Sequence, residues 1–86
     1  MQISYSPSFI NRLEKLESRL QEEVLDKIDL LKDRNNHKML KVHKLHGKYK
    51  NRWSFSVNYE FRILFSYLKK NEIVLLAIGL HDIYKN

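Results

Sequence analysis

The chain lacks cysteine and has only one proline and two glycines among its 86 residues. Without cysteine there can be neither a disulfide framework nor a thiolate metal site, and a reducing cytoplasm is permitted. The scarcity of proline and glycine indicates few loops, and the length suits one domain, residues 1–86. The most apolar run, residues 73–78, is too short to cross a bilayer, and the N-terminus lacks the features of a secretory signal. We therefore expect a cytoplasmic protein with no membrane partner.

Acidic residues are missing from residues 37–54, a segment that holds six Lys or Arg and three His. The net charge is −1 over residues 1–34 and +7 over residues 35–86. An acid-free basic segment next to a predicted strand is typical of a surface that binds a polyanion, although it can also serve solubility alone. Lysine supplies phosphate affinity, whereas histidine titrates near neutral pH and can transfer protons. The combination indicates cleavage of RNA rather than binding alone.

The first third of the chain predicts a short strand followed by helices. Residues 2–5 are β-prone, and Ser6-Pro7 has the pattern of an N-cap followed by proline in the first helical turn. Apolar residues then recur at spacings of three and four and form one apolar stripe, which we predict to lie in the core; they are Phe9, Ile10, Leu13, Leu16, Leu20, Val24, Ile28 and Leu31. Ser18 and Gln21 have capping-box spacing, so we predict two antiparallel helices, the second beginning near Arg19.

Alternating residues predict a β-hairpin in the second half. A three-residue connection, Asn58-Tyr59-Glu60, keeps all the large apolar side chains of both strands on one face. The resulting pairs are Val57 with Phe61, Phe55 with Ile63, Trp53 with Phe65, Ser56 with Arg62, and Ser54 with Leu64. Residues 73–78 are apolar without alternation, which predicts an interior strand covered on both faces and ended by Gly79. The predicted fold is α+β: an N-terminal strand and two antiparallel helices packed on a small, mainly antiparallel sheet.

Several kinds of site are excluded by missing motifs. There is no glycine-rich phosphate loop, no HExxH motif and no serine elbow. His43 and His46 lie three residues apart, but a metal site needs further ligands and a supporting shell, so we predict no metal. We interpret His46 as a turn residue and His37 as a solvated one. RNA brings its own nucleophile, the 2′-hydroxyl, so its cleavage requires only a base, cations and an acid.

The chain offers candidates for each of these roles. We predict His43 or Glu60 as the base, Arg62 with nearby lysines as the phosphate clamp, and His81 or Tyr84 as the acid. The predicted RNA contacts are Lys41, Lys44, Lys48, Lys50 and Arg52. Structural roles are equally open, because Glu60 could fill a turn and Arg62 could form a surface ion pair.

The order of the elements also resembles a known family. With the segment LHGKYKNRWSFSVNYEFRILF and the ending GLHDIY, the chain resembles the RelE/ParE superfamily of bacterial type II toxins over nearly its whole length. It is most similar to the YafQ-like branch, which implies acid–base roles for His43, Glu60 and His81. Arg62 lies where RelE-like and YoeB-like relatives have a phosphate-binding arginine, and Tyr84 suits their terminal aromatic residue.

The resemblance implies an endoribonuclease that cleaves mRNA on the ribosome without a cofactor. It also implies a cognate antitoxin that covers the site. Ser56 stands where the YafQ-like hairpin has a second histidine, and the glutamate that YoeB-like toxins use before this hairpin has no counterpart in residues 35–59. Two other functions of the same fold therefore stay open: a ParE-like inhibitor of DNA gyrase, and an RNA-binding relative without catalytic activity.

Overall fold

A computed structural model describes residues 1–47 and 50–80 of the chain. The described strands and helices are β1 (Gln2–Tyr5), α1 (Pro7–Glu14), α2 (Ser18–Leu31), β2 (His43–Lys44), β3 (Trp53–Ser56), β4 (Phe61–Lys69) and β5 (Glu72–Leu80). A short 3₁₀ helix, Arg34–Asn36, follows α2. Within these residues, no helix combines the length and the apolar character that crossing a membrane requires.

The five strands form one sheet in the order β1-β5-β4-β3-β2. Strand β1 runs parallel to β5, whereas the other three neighbouring pairs are antiparallel. Both helices contribute buried side chains to the core that covers one face of this sheet. The predicted α+β fold is therefore confirmed. Strand β2 is an addition to it, because a strand of two residues is too short to show alternation in the sequence.

The register of the predicted hairpin is confirmed. Trp53 pairs with Phe65, Ser54 with Leu64, Phe55 with Ile63, and Ser56 with Arg62. Val57 N–H donates to the carbonyl of Phe61 over 2.9 Å, as the three-residue connection requires. The register could be predicted because a shift of one residue would move every aromatic side chain of β3 out of the core.

The two helix starts differ in how they are capped. Ser6 caps α1 as predicted: its Oγ accepts a hydrogen bond from Phe9 N–H at 3.1 Å. The predicted capping box of α2 is wrong, because Glu17 is the N-cap and makes no side-chain cap bond. Gln21 instead donates from Nε2 to the carbonyl of Leu16 at 2.9 Å. This residue therefore satisfies an unpaired carbonyl just after α1, a partner that capping-box spacing alone does not reveal.

The apolar stripe of the helices supplies one third of the buried core cluster. Phe9, Val24, Ile28 and Leu31 are buried, and Leu13, Leu16 and Leu20 are partly buried against them. Ile10 is 42% exposed, so its assignment to the core is wrong. It follows Phe9 directly, and one residue in a helix turns the side chain by about 100° away from the buried face.

Strand β5 lies inside the sheet but is fully covered on one face only. Ile73, Leu75 and Ile78 are buried, whereas Val74 and Ala77 are partly exposed, so the predicted burial of both faces is wrong. The prediction that Gly79 ends the strand is also wrong. Pairing with β4 continues through Gly79 opposite Arg62 to Leu80 opposite Phe61, because a complete ladder outweighs the weak strand preference of glycine.

Candidate active site

The face of the sheet opposite the helices carries mostly small and polar side chains. We call it the polar face and define it by Ser54, Ser56, Arg62, Leu64, Ser66, Ala77 and Gly79. Ser56, Arg62 and Gly79 lie side by side in one row across three strands, and Ser54, Leu64 and Ala77 form the next row. Ser54, Leu64 and Ser66 are buried, whereas Ser56, Arg62 and Gly79 are partly exposed, so a ligand can reach the face along the row of these three residues.

His43 extends the row of Ser54 at the edge of the polar face, because β2 pairs His43 with Ser54. Its ring is exposed, and Nδ1 lies 2.8 Å from the carbonyl oxygen of Lys41. A carbonyl can only accept a hydrogen bond, so Nδ1 carries a proton. In the neutral ring, Nε2 then has the free lone pair. The backbone therefore selects the tautomer in which the exposed nitrogen can act as a base.

Arg62 is partly buried and holds the hairpin turn. Its Nη1 donates to the carbonyls of Asn58 at 2.7 Å, Tyr59 at 3.2 Å and Phe61 at 3.1 Å. These contacts use one terminal nitrogen of the guanidinium, so the donors on Nε and Nη2 can still serve a phosphate as a fork. The sequence predicts that Arg62 binds phosphate. Its role in the turn could not be predicted, because that role depends on the directions of three backbone carbonyls.

The turn between β3 and β4 is fixed by Asn58 as well. Asn58 Oδ1 accepts from Glu60 N–H at 2.8 Å and Phe61 N–H at 2.9 Å, and its Nδ2 donates to Glu23 at 2.8 Å. The backbone of Glu60 is therefore part of the turn, as one of the two predictions for this residue has it, and the residue is exposed.

The predicted cations fall into separate groups. Lys41 lines a pocket of about 460 Å³ with Arg62, between the hairpin turn, the loop before β2 and α2. Lys44 and Lys50 line a second pocket of about 510 Å³ with His46. The structure thus brings Lys41 to Arg62, but Lys44 and Lys50 form their own site. His43 and Glu60 line neither pocket.

Arg52 is held against the polar face. Its Nη1 donates to Ser66 Oγ over 2.9 Å, and Ser66 Oγ in turn donates to the carbonyl of Asn51 over 2.6 Å. Asn51 has a positive φ of 58°, a conformation that asparagine tolerates better than most residues. Arg52 is exposed, but this chain of hydrogen bonds orients its guanidinium towards Ser66 of the polar face.

The positive charge of this region is not neutralised by described carboxylates. Across residues 1–47 and 50–80, the one ion pair joins Lys32 to Asp29 at 3.4 Å, and neither partner belongs to the acid-free basic segment, residues 37–54. The same part of the chain has no cluster of three or more His, Cys, Asp or Glu that could hold a metal ion. Among the described residues, no carboxylate forms an ion pair with the cations near the polar face, which favours the attraction of an external anion.

Three predicted site residues, Lys48, His81 and Tyr84, lie outside the described residues. His37 is described, and its interpretation as a solvated residue is wrong. It is partly buried, and Nε2 lies 2.8 Å from the carbonyl of Leu31 at the end of α2. An imidazole N–H at this position satisfies a carbonyl that the helix itself leaves unpaired.

Two residues near Arg62 were not predicted from the sequence. Lys27 of α2 lines the 460 Å³ pocket, and Tyr59 in the turn lines it with a side chain that is 92% exposed. Lys27 lies in the part of the chain with net negative charge, so composition directs attention away from it. Tyr59 could have been found as the aromatic residue at the centre of a predicted three-residue turn.

Comparison with known proteins agrees with this fold. YafQ from E. coli has a TM-score of 0.78 at 16% identity, over 99% of this chain and 98% of that chain. The archaeal RelE–RelB complex from Pyrococcus horikoshii has a TM-score of 0.73 at 16% identity, over 95% of this chain and 96% of that chain. A YoeB/ParE toxin from Agrobacterium tumefaciens has a TM-score of 0.66 at 19% identity, over 94% of this chain and 99% of that chain. No family model and no curated protein matches the sequence. The resemblance to RelE/ParE toxins is thus confirmed for the fold.

Proposed function

We propose, from the RelE/ParE-like toxin fold that this chain has, that it is the toxin of a type II toxin–antitoxin system and a metal-independent endoribonuclease that cleaves mRNA. The observation that carries the proposal is the orientation of His43. Its exposed ring has Nδ1 tied to the carbonyl of Lys41, at the edge of a face where Arg62 offers guanidinium donors. A base and a phosphate clamp on one face are two of the three parts that RNA cleavage requires.

The proposed reaction is an internal transfer of the phosphoryl group. His43 Nε2 takes the proton of a 2′-hydroxyl, and the 2′-oxygen attacks the adjacent phosphorus. The bond from phosphorus to the 5′-oxygen breaks, and an acid donates a proton to that oxygen. The products are a 2′,3′-cyclic phosphate and a 5′-hydroxyl. No metal is required to generate the nucleophile, because the 2′-hydroxyl belongs to the substrate.

The side chains have distinct proposed roles. Nε and Nη2 of Arg62, with Lys41 in the same pocket, stabilise the charge that develops on the phosphorane oxygens. His81 or Tyr84 supplies the proton to the leaving oxygen. Glu60 is the alternative base, but the fixed tautomer favours His43, since a base must present its lone pair towards the proton that it accepts.

The remaining cations suit a larger RNA surface. Lys44 and Lys50 line a separate pocket, and Arg52 is oriented towards Ser66 of the polar face, so these residues lie away from the Arg62 clamp. We propose that they, with Lys48, bind flanking phosphates of mRNA or of ribosomal RNA in the cytoplasm. Like charges spread over a face attract a polyanion without reading its sequence.

A protein partner is also proposed. The RelE neighbour is a RelE–RelB complex, in which a toxin is assembled with its antitoxin. We propose that this chain likewise binds a cognate antitoxin. An acidic segment of that partner would be attracted to the cations beside the polar face and would exclude RNA from them.

The proposal can be tested by primer extension on a defined mRNA in a reconstituted translation reaction. The toxin is treated with a chelator beforehand, so that it brings no bound metal into the reaction. We expect cuts at ribosome-occupied codons with wild type, and cleavage lowered by roughly 10²- to 10⁴-fold in His81→Ala, the range for a positioned acid or base. Lys32→Ala is the control, because Lys32 is an exposed cation at the end of α2 that lines neither of the two basic pockets. Intact mRNA with wild-type protein would contradict the proposal. In that case, inhibition of DNA supercoiling would favour the gyrase inhibitor. RNA binding without cleavage would instead favour a catalytically inactive relative.

A further inference from the structure

Tyr59 is the most exposed large apolar or aromatic side chain in the described part of the chain, at 92%. Single exposed apolar residues are common on protein surfaces, but Tyr59 is not isolated. Met39, which is 61% exposed, lines the same 460 Å³ pocket. Two large side chains left in solvent at one pocket indicate a surface that a ligand covers.

The backbone that carries Tyr59 is held in place on both sides. Asn58 Oδ1 accepts two backbone N–H groups of the turn, and Arg62 donates to the carbonyls of Asn58 and Tyr59 itself. The ring therefore projects from an ordered turn. Binding to such a group loses little conformational entropy, which favours its use as a contact surface.

The charges around the ring select the kind of ligand. Lys27, Lys41 and Arg62 line the pocket, and the carboxylate of Glu23 in the same wall is engaged by the amide of Asn58 at 2.8 Å. An exposed aromatic ring next to several cations is the arrangement that binds single-stranded nucleic acid, with bases stacked on the ring and phosphates on the cations.

We propose that Tyr59 is a stacking platform for an unpaired nucleobase of the RNA substrate, next to the phosphate held by Arg62. The inference rests on the proposed function, since it names a contact to the RNA that this site would cleave. Lys41 and Lys27 bind the phosphates on either side of the stacked base. Tyr59 thereby sets a preference for the nucleotide beside the cut, because purines stack on an aromatic ring more strongly than pyrimidines.

The test compares Tyr59→Ala, Tyr59→Leu and Tyr59→Phe in the reconstituted translation reaction, with cut positions read by primer extension. Removing a stacked base contact corresponds to about 5- to 150-fold in affinity, so we expect kcat/KM to fall within this range for Tyr59→Ala. We expect Tyr59→Leu to fall nearly as far and Tyr59→Phe to keep wild-type activity. Leu68→Ala is the matched control, because Leu68 is also exposed, at 56%, but lies at the opposite end of β4.

The second readout is the choice of cut site. We expect wild type and Tyr59→Phe to favour cuts beside purines and Tyr59→Ala to lose that preference, which a loss of stability alone would not produce. Wild-type rates and preferences in Tyr59→Ala would overturn the inference while leaving the proposed function in place. An equal fall at all sites without rescue by phenylalanine would also overturn it. A third result would overturn the inference as well: normal cleavage by Tyr59→Ala together with weaker inhibition by the antitoxin. That result would assign the ring to a protein interface. If wild-type protein cleaves no mRNA, the proposed function itself fails.

Discussion

Replacing Arg62 by lysine separates two roles of one guanidinium. Nη1 holds the hairpin turn through three carbonyls, whereas Nε and Nη2 are assigned to the phosphate. Lysine keeps the positive charge but has neither the reach nor the planar fork of arginine. The substitution is therefore expected to lower both stability and activity, and the two losses have different sizes.

The loss of stability follows from the contacts. Nη1 carries two hydrogens, so its three carbonyl contacts amount to about two hydrogen bonds, each with a net contribution of roughly 0.5–1.5 kcal/mol. We expect the free energy of unfolding to fall by about 1–3 kcal/mol. A domain with a typical stability of about 5–15 kcal/mol would remain almost entirely folded after this loss. Any large fall in activity must then come from the loss of the phosphate contact. We expect this loss to lower the cleavage rate by about 10²- to 10³-fold.

Two assays measure the two losses. Urea denaturation can be followed by the fluorescence of Trp53, the sole tryptophan, whose ring contacts Tyr67 at a centroid distance of 5.2 Å. Cleavage is measured as the single-turnover rate at saturating protein. The matched variant is Ser6→Ala, which removes the N-cap acceptor of α1 and leaves the hairpin turn and its pocket untouched. It should destabilise the protein by about 0.5–2 kcal/mol, a similar amount, and change the cleavage rate little.

Two results would refute this reasoning. If Ser6→Ala slows cleavage as much as Arg62→Lys, the loss of stability alone explains the fall in activity. If Arg62→Lys cleaves RNA at the wild-type rate, no phosphate fork operates at this position.

Three further predictions concern other parts of the structure. His43→Gln should slow cleavage by roughly 10²- to 10⁴-fold with an unchanged melting temperature, since the ring is exposed; a wild-type rate would remove His43 as the base. Phe55→Ala should lower the free energy of unfolding by about 3–5 kcal/mol, because the side chain is fully buried, and an unshifted urea midpoint would contradict this. Lys44→Ala with Lys50→Ala should weaken RNA binding and flatten its salt dependence; an unchanged slope of log affinity against log salt would show that neither contacts phosphate.

The hairpin of β3 and β4 could be predicted from the sequence because its signal is periodic and has one solution. Alternation in residues 52–57 and 61–67 leaves one register that places every aromatic side chain on the core face, and that register is observed. The capping of α2 could not be predicted in the same way. Gln21 has capping-box spacing from Ser18, but its amide bonds to Leu16, and the choice between the two depends on how the chain turns between the helices.

The candidate site was predictable in its residue types but not in its arrangement. Charge and histidine content indicate the segment, yet they do not reveal that Lys41 joins Arg62 while Lys44 and Lys50 form another pocket. His37 and His43 both lie in the basic segment, but the carbonyl of Leu31 engages one ring in a structural contact. The other ring is anchored by the carbonyl of Lys41 and remains exposed. Such differences depend on the direction of backbone carbonyls, which composition does not encode.

The central claim is that the 2′-hydroxyl of the RNA is the nucleophile on a face that holds His43 and Arg62. The most direct measurement is cleavage, in the reconstituted translation reaction, of an mRNA with a single 2′-deoxynucleotide on the 5′ side of a mapped cut. The account predicts that this cut disappears while cuts elsewhere in the same mRNA continue at their usual rates. Cleavage at the deoxy position at the rate of the unmodified mRNA would contradict it, because the attacking oxygen would then have to come from water or the protein.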